Sequence, residues 1–202
     1  MSYHSKYGAV QESRHVFIEA GLYPLLLKKK PLDLMEIGFG TGLNALLTFM
    51  EAERLQIPLH YEAIEAYPLE SSQVAALNYP ETAAIGAYPG LFEKLHDAPW
   101  EADVPISTYF TLHKREEKAE LLRYSPRFDL IYYDAFAPGA QPELWETQTL
   151  SIMYASLKPG GVLVTYCAKG EVKRRLKAIG FSLESLLGPP GKREMIRATK
   201  PG

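Results

Sequence analysis

The stretch "LDLMEIGFGTGLNALLTFM", residues 32–50, contains a strand, a glycine-rich loop and a helix in immediate succession. Residues 32–38 are mostly apolar, as in a strand that is covered on both faces. Apolar residues then recur at helical spacing, at Leu43, Leu46, Leu47 and Met50. A strand that passes through a glycine turn into a helix is typical of a doubly wound α/β sheet, in which ligands bind beyond the carboxyl ends of the strands.

The rest of the chain repeats this alternation of strands and helices. Strands are predicted at 60–66, 108–114, 128–134 and 162–168, and helices at 70–77, 90–96, 116–123, 143–157 and 169–180. The helix over 143–157 is expected to end at "KPGG", residues 158–161, and the region 79–105 is otherwise undetermined. Residues 181–187 and 194–200 predict an antiparallel C-terminal hairpin. We therefore predict one domain over residues 1–202, a doubly wound α/β sheet with a reversed edge strand.

Composition excludes several classes of protein. The 202 residues are 47% apolar and 23% charged, as in ordinary globular proteins. The N-terminus lacks a signal-peptide core, and no apolar run approaches the roughly 20 residues that span a membrane. The single cysteine, Cys167, excludes an internal disulfide framework and a cysteine-rich zinc site. We expect no metal and an intracellular, cytoplasmic location.

The charge is unevenly distributed along the chain. Residues 1–168 carry 13 basic and 21 acidic side chains, whereas residues 169–202 carry 9 basic and 3 acidic side chains. This asymmetry indicates either an anionic partner for the C-terminal segment or a solvated helix face and charged tail, which is the commoner origin of such runs.

The glycine loop favours S-adenosylmethionine over a dinucleotide. Gly38, Gly40 and Gly42 are spaced G-x-G-x-G, and the third glycine of the dinucleotide motif G-x-G-x-x-G is replaced by Leu43. The acidic Glu36 precedes the loop at the end of the strand. Its charge would repel a pyrophosphate and attract a sulfonium, so the predicted ligand is a cationic cofactor.

Acidic residues at the ends of the next two strands are candidate nucleoside contacts. Glu65 ends the second strand and can accept hydrogen bonds from both ribose hydroxyls. Glu62 lies three residues earlier and therefore points to the opposite face. Near the adenine, the third strand offers Glu116 or Glu117, between which the pattern does not decide; Glu117 is carried forward as the candidate.

The fourth strand carries the candidate catalytic residue. "DLIYYDAFAPG", residues 129–139, is an apolar strand that ends in Asp134 and a turn with Phe136 and Pro138. A carboxylate there can accept an N–H from a substrate amine, direct its lone pair at a sulfonium methyl and take up the released proton. Phe136 can stack on a planar ring beside that nitrogen, and Pro138 fixes the turn. The alternative is that Asp134 only caps the turn.

Several motifs occur together: "YHSKYGAVQESRHVFIEAGL", "EIGFGTGLN", "EAYPL", "YDAFAPGAQPELW", "TYCAKGEVKRRL" and "GPPGKREMIRA". In this combination the chain resembles the tRNA wobble-uridine methyltransferases of the MnmC/MnmD type. The resemblance implies a class I S-adenosylmethionine-dependent fold and methylation of 5-aminomethyl-(2-thio)uridine at tRNA position 34. It also implies that the glycine loop, Glu36, Asn44 and Glu65 hold the cofactor and that Asp134 acts at the amine. Bifunctional relatives carry a fused flavin-dependent oxidase domain, which we expect to be absent here.

The resemblance suggests a partner for the basic C-terminal segment. Lys169, Lys192 and Arg193 are candidates to contact phosphates of the tRNA anticodon loop, whose single-stranded bases are easily splayed out. Residues 28–30, three lysines, either add to this surface or form a solvated helix end.

Two other functions share these sequence features. One is a small-molecule methyltransferase or aminopropyltransferase that acts on a polyamine-like substrate. The other is a binding module that retains the cofactor loop without activity.

Overall fold

The central strands of the sheet are β1 (Leu32–Ile37) and β5 (Phe128–Tyr133), which pair in parallel and are buried on both faces. The computed structural model describes residues 6–26, 31–77 and 88–202. Beyond β1 lie β2 (Leu59–Glu65), β4 (Phe110–Glu116) and the short β3 (Asp103–Pro105). Beyond β5 lie β6 (Leu157–Thr165), β8 (Glu194–Thr199) and β7 (Ser182–Leu187), so the strand order is 3-4-2-1-5-6-8-7. β3 and β8 run antiparallel to their neighbours, and the other pairs are parallel.

Helices cover both faces of this sheet. One face carries α1 (Lys6–Ser13), which continues through a π-helical stretch (Arg14–Leu22) into α2 (Tyr23–Leu26), and also α3 (Leu43–Leu55), α4 (Ser71–Ala75) and α5 (Leu91–Asp97). The other face carries α6 (Thr147–Ser156) and α7 (Gly170–Ile179), with 3-10 turns at Ala119–Leu121 and Pro142–Trp145.

Alternation along β5 connects the two layers of the core. Leu130 and Tyr132 pack on the α3 side, whereas Ile131 and Tyr133 pack on the α6 side. All four side chains are fully buried, which explains why this strand is apolar without interruption. None of the helices in the described residues is long and apolar enough to cross a bilayer.

The predicted α/β class and the main strands are confirmed, but the helix predicted over 116–123 is wrong. Glu116 is the last residue of β4 and pairs with Glu65 of β2. Only Ala119–Leu121 forms a short 3-10 turn, and Pro126 follows closely. Proline disfavours helical backbone in the residue before it, so the segment has no room for a regular helix.

The predicted end of the helix over 143–157 also needs correction. The helix runs from Thr147 to Ser156, and residues 158–161 belong to β6 instead of a terminating loop. Gly160 adopts φ +77°, and the register against β5 shifts between Phe128 and Leu130. The Gly160 N–H donates to Lys200 O at 2.9 Å, so the "KPGG" segment is part of the sheet as a bulge.

The antiparallel C-terminal hairpin is confirmed, but the reversed strand does not lie at the edge. β8 lies between β6 and β7 and forms antiparallel ladders with both. Met195, Ile196 and Ala198 of β8 are buried, whereas most of β7 is solvent-accessible. The inner strand is therefore the more buried one, although each strand of the hairpin has three apolar residues. At the opposite edge, β3 falls in the region that sequence left undetermined.

Backbone contacts hold the glycine loop against the ends of β2 and β5. The Gly38 N–H donates to Ile64 O at 2.9 Å, and the Asp134 N–H donates to Ile37 O at 3.1 Å. Gly38 has φ +91°, and a β-carbon there would lie 2.9 Å from the Asp134 carbonyl oxygen. Gly40 has φ +49°, and a β-carbon there would meet no described atom within 4 Å.

These two glycines provide a matched test of the contact. Gly38→Ala is expected to lower the free energy of unfolding by about 2–4 kcal/mol, because left-handed strain adds to a clash with a backbone oxygen that cannot move aside. Gly40→Ala is expected to cost only about 1–2 kcal/mol, from left-handed strain alone. Urea unfolding measures both values, and equal losses in the two variants would contradict the close approach.

Candidate active site at the carboxyl ends of the strands

The loop between β1 and α3 exposes backbone where a ligand can approach. Gly38, Gly40 and Gly42 all have positive φ, at 91°, 49° and 72°. A β-carbon at Gly42 would lie 3.0 Å from His96 Nε2 and 3.1 Å from the ring of Phe39, so a larger residue would be crowded there. The space over Gly40 is open. The predicted glycine loop therefore forms an open cradle at the N-terminus of a 13-residue helix.

Glu65 lies directly at this cradle. Its Oε2 accepts the Gly40 N–H at 2.9 Å, and its Oε1 accepts the Tyr67 N–H at 2.9 Å. Each carboxylate oxygen has a further lone pair, so the side chain can still accept hydroxyl donors. Glu62 is buried on the other face, where it pairs with Arg127 Nη1 at 2.7 Å, as strand alternation predicts.

Glu117 follows β4 next to Glu65. Its N–H donates to Glu65 O at 3.2 Å, and its carboxylate pairs with the Arg115 guanidinium. Glu116 is exposed, with its N–H donating to Glu101 Oε1 at 2.9 Å. The contact of Glu117 with adenine stays a prediction. In the structure, the Glu117 carboxylate forms an ion pair with Arg115.

A buried cation next to the glycine loop was missed by sequence analysis. Lys114 is 1% exposed; its Nζ donates to His96 O at 2.6 Å and lies 4.7 Å from the Trp100 ring centroid. Burial lowers the pKa of Lys114 to about 8. His96 Nε2 in turn lies 3.1 Å from Thr41 O in the loop. The available signal was alternation along β4, which places Lys114 on the same buried face as Leu112.

A single amide joins the two carboxylates at the centre of the site. Asn44 Nδ2 donates to Glu36 Oε1 and to Asp134 Oδ2, both at 2.8 Å. Glu36 is fully buried, and its Oε2 accepts the Tyr61 hydroxyl at 2.8 Å. Asn44 is 4% exposed, and its Oδ1 has no hydrogen-bond partner among the described residues. The chain Tyr61–Glu36–Asn44–Asp134 therefore fixes one oxygen of Asp134.

The pKa values of Glu36 and Asp134 determine which of the two carboxyls can attract a cationic cofactor. Burial, with the nearby charge of Asp134, raises the pKa of Glu36 well above its usual value, so Glu36 favours its neutral form. Burial raises the pKa of Asp134 to about 6, while the hydrogen bond from Asn44 lowers it. With a pKa of about 6, Asp134 is ionised at neutral pH and can supply the negative charge expected of Glu36. The direct contact of Glu36 or Asn44 with the cofactor stays a prediction.

The turn after Asp134 is held from three sides. The Phe136 N–H donates to Gln141 Oε1 at 3.3 Å, and Trp145 Nε1 donates to Phe136 O at 2.7 Å. The Tyr166 hydroxyl donates to Ala135 O at 2.7 Å. The Phe136 side chain remains 59% exposed, as the turn prediction requires, and Pro138 is partly exposed in the same turn.

The three predicted basic residues lie in different environments. Lys169 is exposed at the N-cap of α7, and Arg193 is exposed in the loop between β7 and β8. Lys192 instead pairs with Glu12 of α1, and its Nζ lies 3.9 Å from the Tyr166 ring centroid. Residues 28–30 lie outside the described residues. Glu12 and Tyr166 were not predicted from the sequence, because the Glu12–Lys192 pair joins residues 180 positions apart.

The pH dependence of the unfolding free energy, measured without ligand, shows how much the ionised Asp134 carboxylate destabilises the fold. Its pKa is raised from 3.8 in the unfolded chain to about 6, so ionisation of this carboxyl opposes folding above pH 6. Asp134→Asn is expected to raise the free energy of unfolding at pH 8 by about 3 kcal/mol, at about 1.4 kcal/mol per pKa unit. The difference should shrink as pH falls through 6 and vanish below about 4.

The matched control is Asp103 of β3, because hydrogen bonds from His60 and His113 lower the pKa of its carboxyl. Asp103→Asn is therefore expected to lower stability at pH 8, opposite in sign to Asp134→Asn. Urea unfolding across this pH range measures both variants. Destabilisation by Asp134→Asn at pH 8 would contradict a strained carboxylate.

Comparison with known proteins places these features in a family. The chain is 31% identical over 207 residues to the tRNA 5-methylaminomethyl-2-thiouridine biosynthesis bifunctional protein MnmC of Magnetococcus marinus, covering 96% of this chain and 30% of that protein. The protein of the same name from Aromatoleum aromaticum is 30% identical, with 96% and 32% covered. The chain thus spans about a third of the length of these curated relatives.

Solved structures share the fold. MNMC2 from Aquifex aeolicus superposes with a TM-score of 0.74 at 21% identity, covering 96% of this chain and 63% of that chain. Spermidine synthase from Thermotoga maritima superposes with a TM-score of 0.58 at 15% identity, covering 95% of this chain and 60% of that chain.

A family model described as S-adenosyl-L-methionine-dependent methyltransferase matches residues 88–201. This match covers more than half of the sequence and includes Asp134, the turn after it and the C-terminal hairpin. The chain therefore belongs to the S-adenosyl-L-methionine-dependent methyltransferases.

Proposed function

We propose that this methyltransferase converts 5-aminomethyl-(2-thio)uridine at the wobble position of tRNA to its 5-methylaminomethyl form. The observation that carries the proposal is Asp134, whose carboxylate is fixed by Asn44 at the open glycine loop. The relatives are named for tRNA 5-methylaminomethyl-2-thiouridine biosynthesis, which supports the same substrate. A tRNA substrate would place the reaction in the cytoplasm.

The residues around the loop fit S-adenosylmethionine. The open space over Gly40 admits a ligand to the backbone, and Glu65 beside it offers carboxylate lone pairs to ribose hydroxyls. Asn44 Oδ1 is a buried acceptor without a described partner at the same point. When bound, the cofactor supplies an electrophilic methyl group on a sulfonium, and the ionised Asp134 provides the nearby negative charge that such a cation favours.

Asp134 performs the amine chemistry in this proposal. Asn44 occupies its Oδ2, so Oδ1 is the oxygen that accepts a substrate N–H and directs the nitrogen lone pair. A primary alkyl amine resembles lysine, with a pKa of about 10.4, and must lose a proton before or during transfer. The pKa of Asp134, raised to about 6, makes this carboxylate a stronger proton acceptor than an ordinary aspartate.

The surface around Asp134 suits a base at the end of a polynucleotide loop. Phe136 is exposed beside it and offers a ring on which the uracil can stack. Pro138 keeps this turn in place. Lys169 and Arg193 are exposed cations of the basic C-terminal segment and are proposed to contact phosphates. A small polyamine would need neither the exposed ring nor these cations.

Substitution of Asp134 separates binding from chemistry. Asp134→Ala is expected to lower the rate of methyl transfer by at least about 100-fold, the usual contribution of a positioned proton acceptor. The dissociation constant of S-adenosylmethionine is expected to change much less, because the glycine loop and Glu65 remain. Transfer of labelled methyl to tRNA that carries the aminomethyl group gives the rate, and calorimetry gives the dissociation constant.

Asp103→Ala is the control, since that carboxylate lies on β3 and bonds His60 and His113 at 2.9 and 2.8 Å. It should retain near wild-type turnover. Unchanged turnover in Asp134→Ala would contradict the proposed role of Asp134 in methyl transfer. Transfer to a free polyamine, with none to tRNA, would replace the proposed substrate by a small amine.

A further inference from the structure

The ion pair between Glu12 and Lys192 has no place in the chemistry described above. It joins α1 to the loop between β7 and β8, elements 180 residues apart in sequence. Both side chains are partly accessible, at 24% and 35% of their surface. Lys192 Nζ also lies over the Tyr166 ring, 3.9 Å from its centroid. Lys192 is therefore held by two contacts, a carboxylate and an aromatic face, whereas a simple surface ion pair provides only the first.

Tyr166 connects this ion pair to the turn that follows Asp134. Tyr166, which contacts Lys192, donates its hydroxyl to Ala135 O at 2.7 Å, one residue after Asp134. The charge of Glu12 raises the pKa of Asp134, and the charge of Lys192 lowers it. Two carboxylates and one ammonium thus share this end of the sheet. In the described residues, Asp134 has no ion-pair partner of its own within 4.0 Å, while Glu12 is paired with Lys192.

The loop that carries Lys192 is tightly built. The Gly188 N–H donates to Arg193 O at 3.2 Å, and the Lys192 N–H donates to Pro189 O at 2.9 Å. A β-carbon at Gly188 would lie 2.5 Å from Lys192 O, so this turn needs glycine. It directs Lys192 inward onto Tyr166 and leaves Arg193 exposed. The backbone is fixed, and the long Lys192 side chain can change partner without moving the loop.

We propose that Glu12 is a second carboxylate of the amine site, kept occupied by Lys192 until substrate arrives, and that the two side chains exchange partners on binding. This inference rests on the proposed function, because it needs a substrate that carries an ammonium and a phosphate close together. Lys192 then pairs with the phosphate, and Glu12 accepts the N–H donors of the aminomethyl group beside Asp134. The exchange keeps every charge paired, so neither side chain is left as an uncompensated charge.

The exchange gives selectivity for the aminomethyl group. A uridine with a neutral substituent attracts Lys192 through its phosphate but offers Glu12 no cation in return. Its binding would leave Glu12 unpaired in a partly buried position, which costs free energy. A free aminomethyl nucleoside has the opposite defect, since it offers no phosphate for Lys192.

The test compares two substrates: an anticodon stem-loop with 5-aminomethyluridine at the wobble position, and the 5-aminomethyluridine nucleoside. Glu12→Gln should raise KM about tenfold for both, with kcat changed much less, because a charge-assisted contact in the ground state is lost. Lys192→Met should raise KM for the stem-loop. For the nucleoside it should lower KM, because Glu12 is no longer occupied.

If the Glu12–Lys192 ion pair only stabilises the fold, different results are expected. Two controls distinguish this structural role from partner exchange. Glu19→Gln, on the same helical segment with a 58% exposed side chain, should leave both substrates unaffected. The charge-swapped variant Glu12→Lys with Lys192→Glu restores an ion pair, so a structural role predicts recovery of activity. Partner exchange predicts a stable protein that stays impaired, because a cation then lies at the amine site.

The outcomes distinguish the exchange from the proposed function. Wild-type activity on the stem-loop, with Lys192→Met impaired equally on both substrates or the charge swap active, would overturn the exchange alone. Absence of wild-type methyl transfer to both substrates would overturn the proposed function and the exchange together. A melting temperature for each variant shows that it is folded.

Discussion

The side-chain amide of Asn44 connects the two carboxylates on which the candidate active site depends. Its Nδ2 lies 2.8 Å from both Glu36 and Asp134, so each amide proton is donated to a different acid. The geometry requires α3 to begin at Leu43, directly after its N-cap Gly42, which places Asn44 in the first turn over the ends of β1 and β5. It also requires Gly38, whose missing β-carbon allows the loop to approach the Asp134 carbonyl. Backbone conformation and site chemistry thus depend on each other at this point.

Burial raises the pKa of both acids that Asn44 joins, whereas the hydrogen bonds from Asn44 lower it. Glu36 lies between Asn44 and Tyr61, and burial raises its pKa well above the usual range. Asp134 accepts a hydrogen bond from the same amide but lies just beyond the carboxyl end of β5. Its pKa of about 6 leaves it ionised at neutral pH. Two acids close together would repel each other if both were charged, so the division of roles follows from their different burial. Asn44 holds Oδ2 of Asp134, the acid that we propose acts on the substrate amine.

Much of the fold and part of the site could be predicted because they depend on local patterns. The glycine spacing and alternation along β2 identified Glu65 over Glu62, and the turn residues indicated an exposed Phe136. Contacts between distant segments could not be predicted. The partner of Lys192 lies 180 residues away, and the raised pKa of Glu36 follows from three-dimensional burial. The inner position of β8 likewise depends on tertiary packing, because a hairpin pattern does not state which strand pairs with β6.

The most direct measurement identifies the methylated atom. Transfer RNA carrying unmethylated 5-aminomethyl-(2-thio)uridine would be incubated with the protein and S-adenosylmethionine bearing a deuterated methyl group, then digested to nucleosides for mass spectrometry. The structure and the proposed role of Asp134 predict one labelled methyl on the exocyclic nitrogen of the wobble nucleoside and none elsewhere. An unlabelled wobble nucleoside, or label on a ring atom, ribose or another position, would contradict a site built to direct a primary amine.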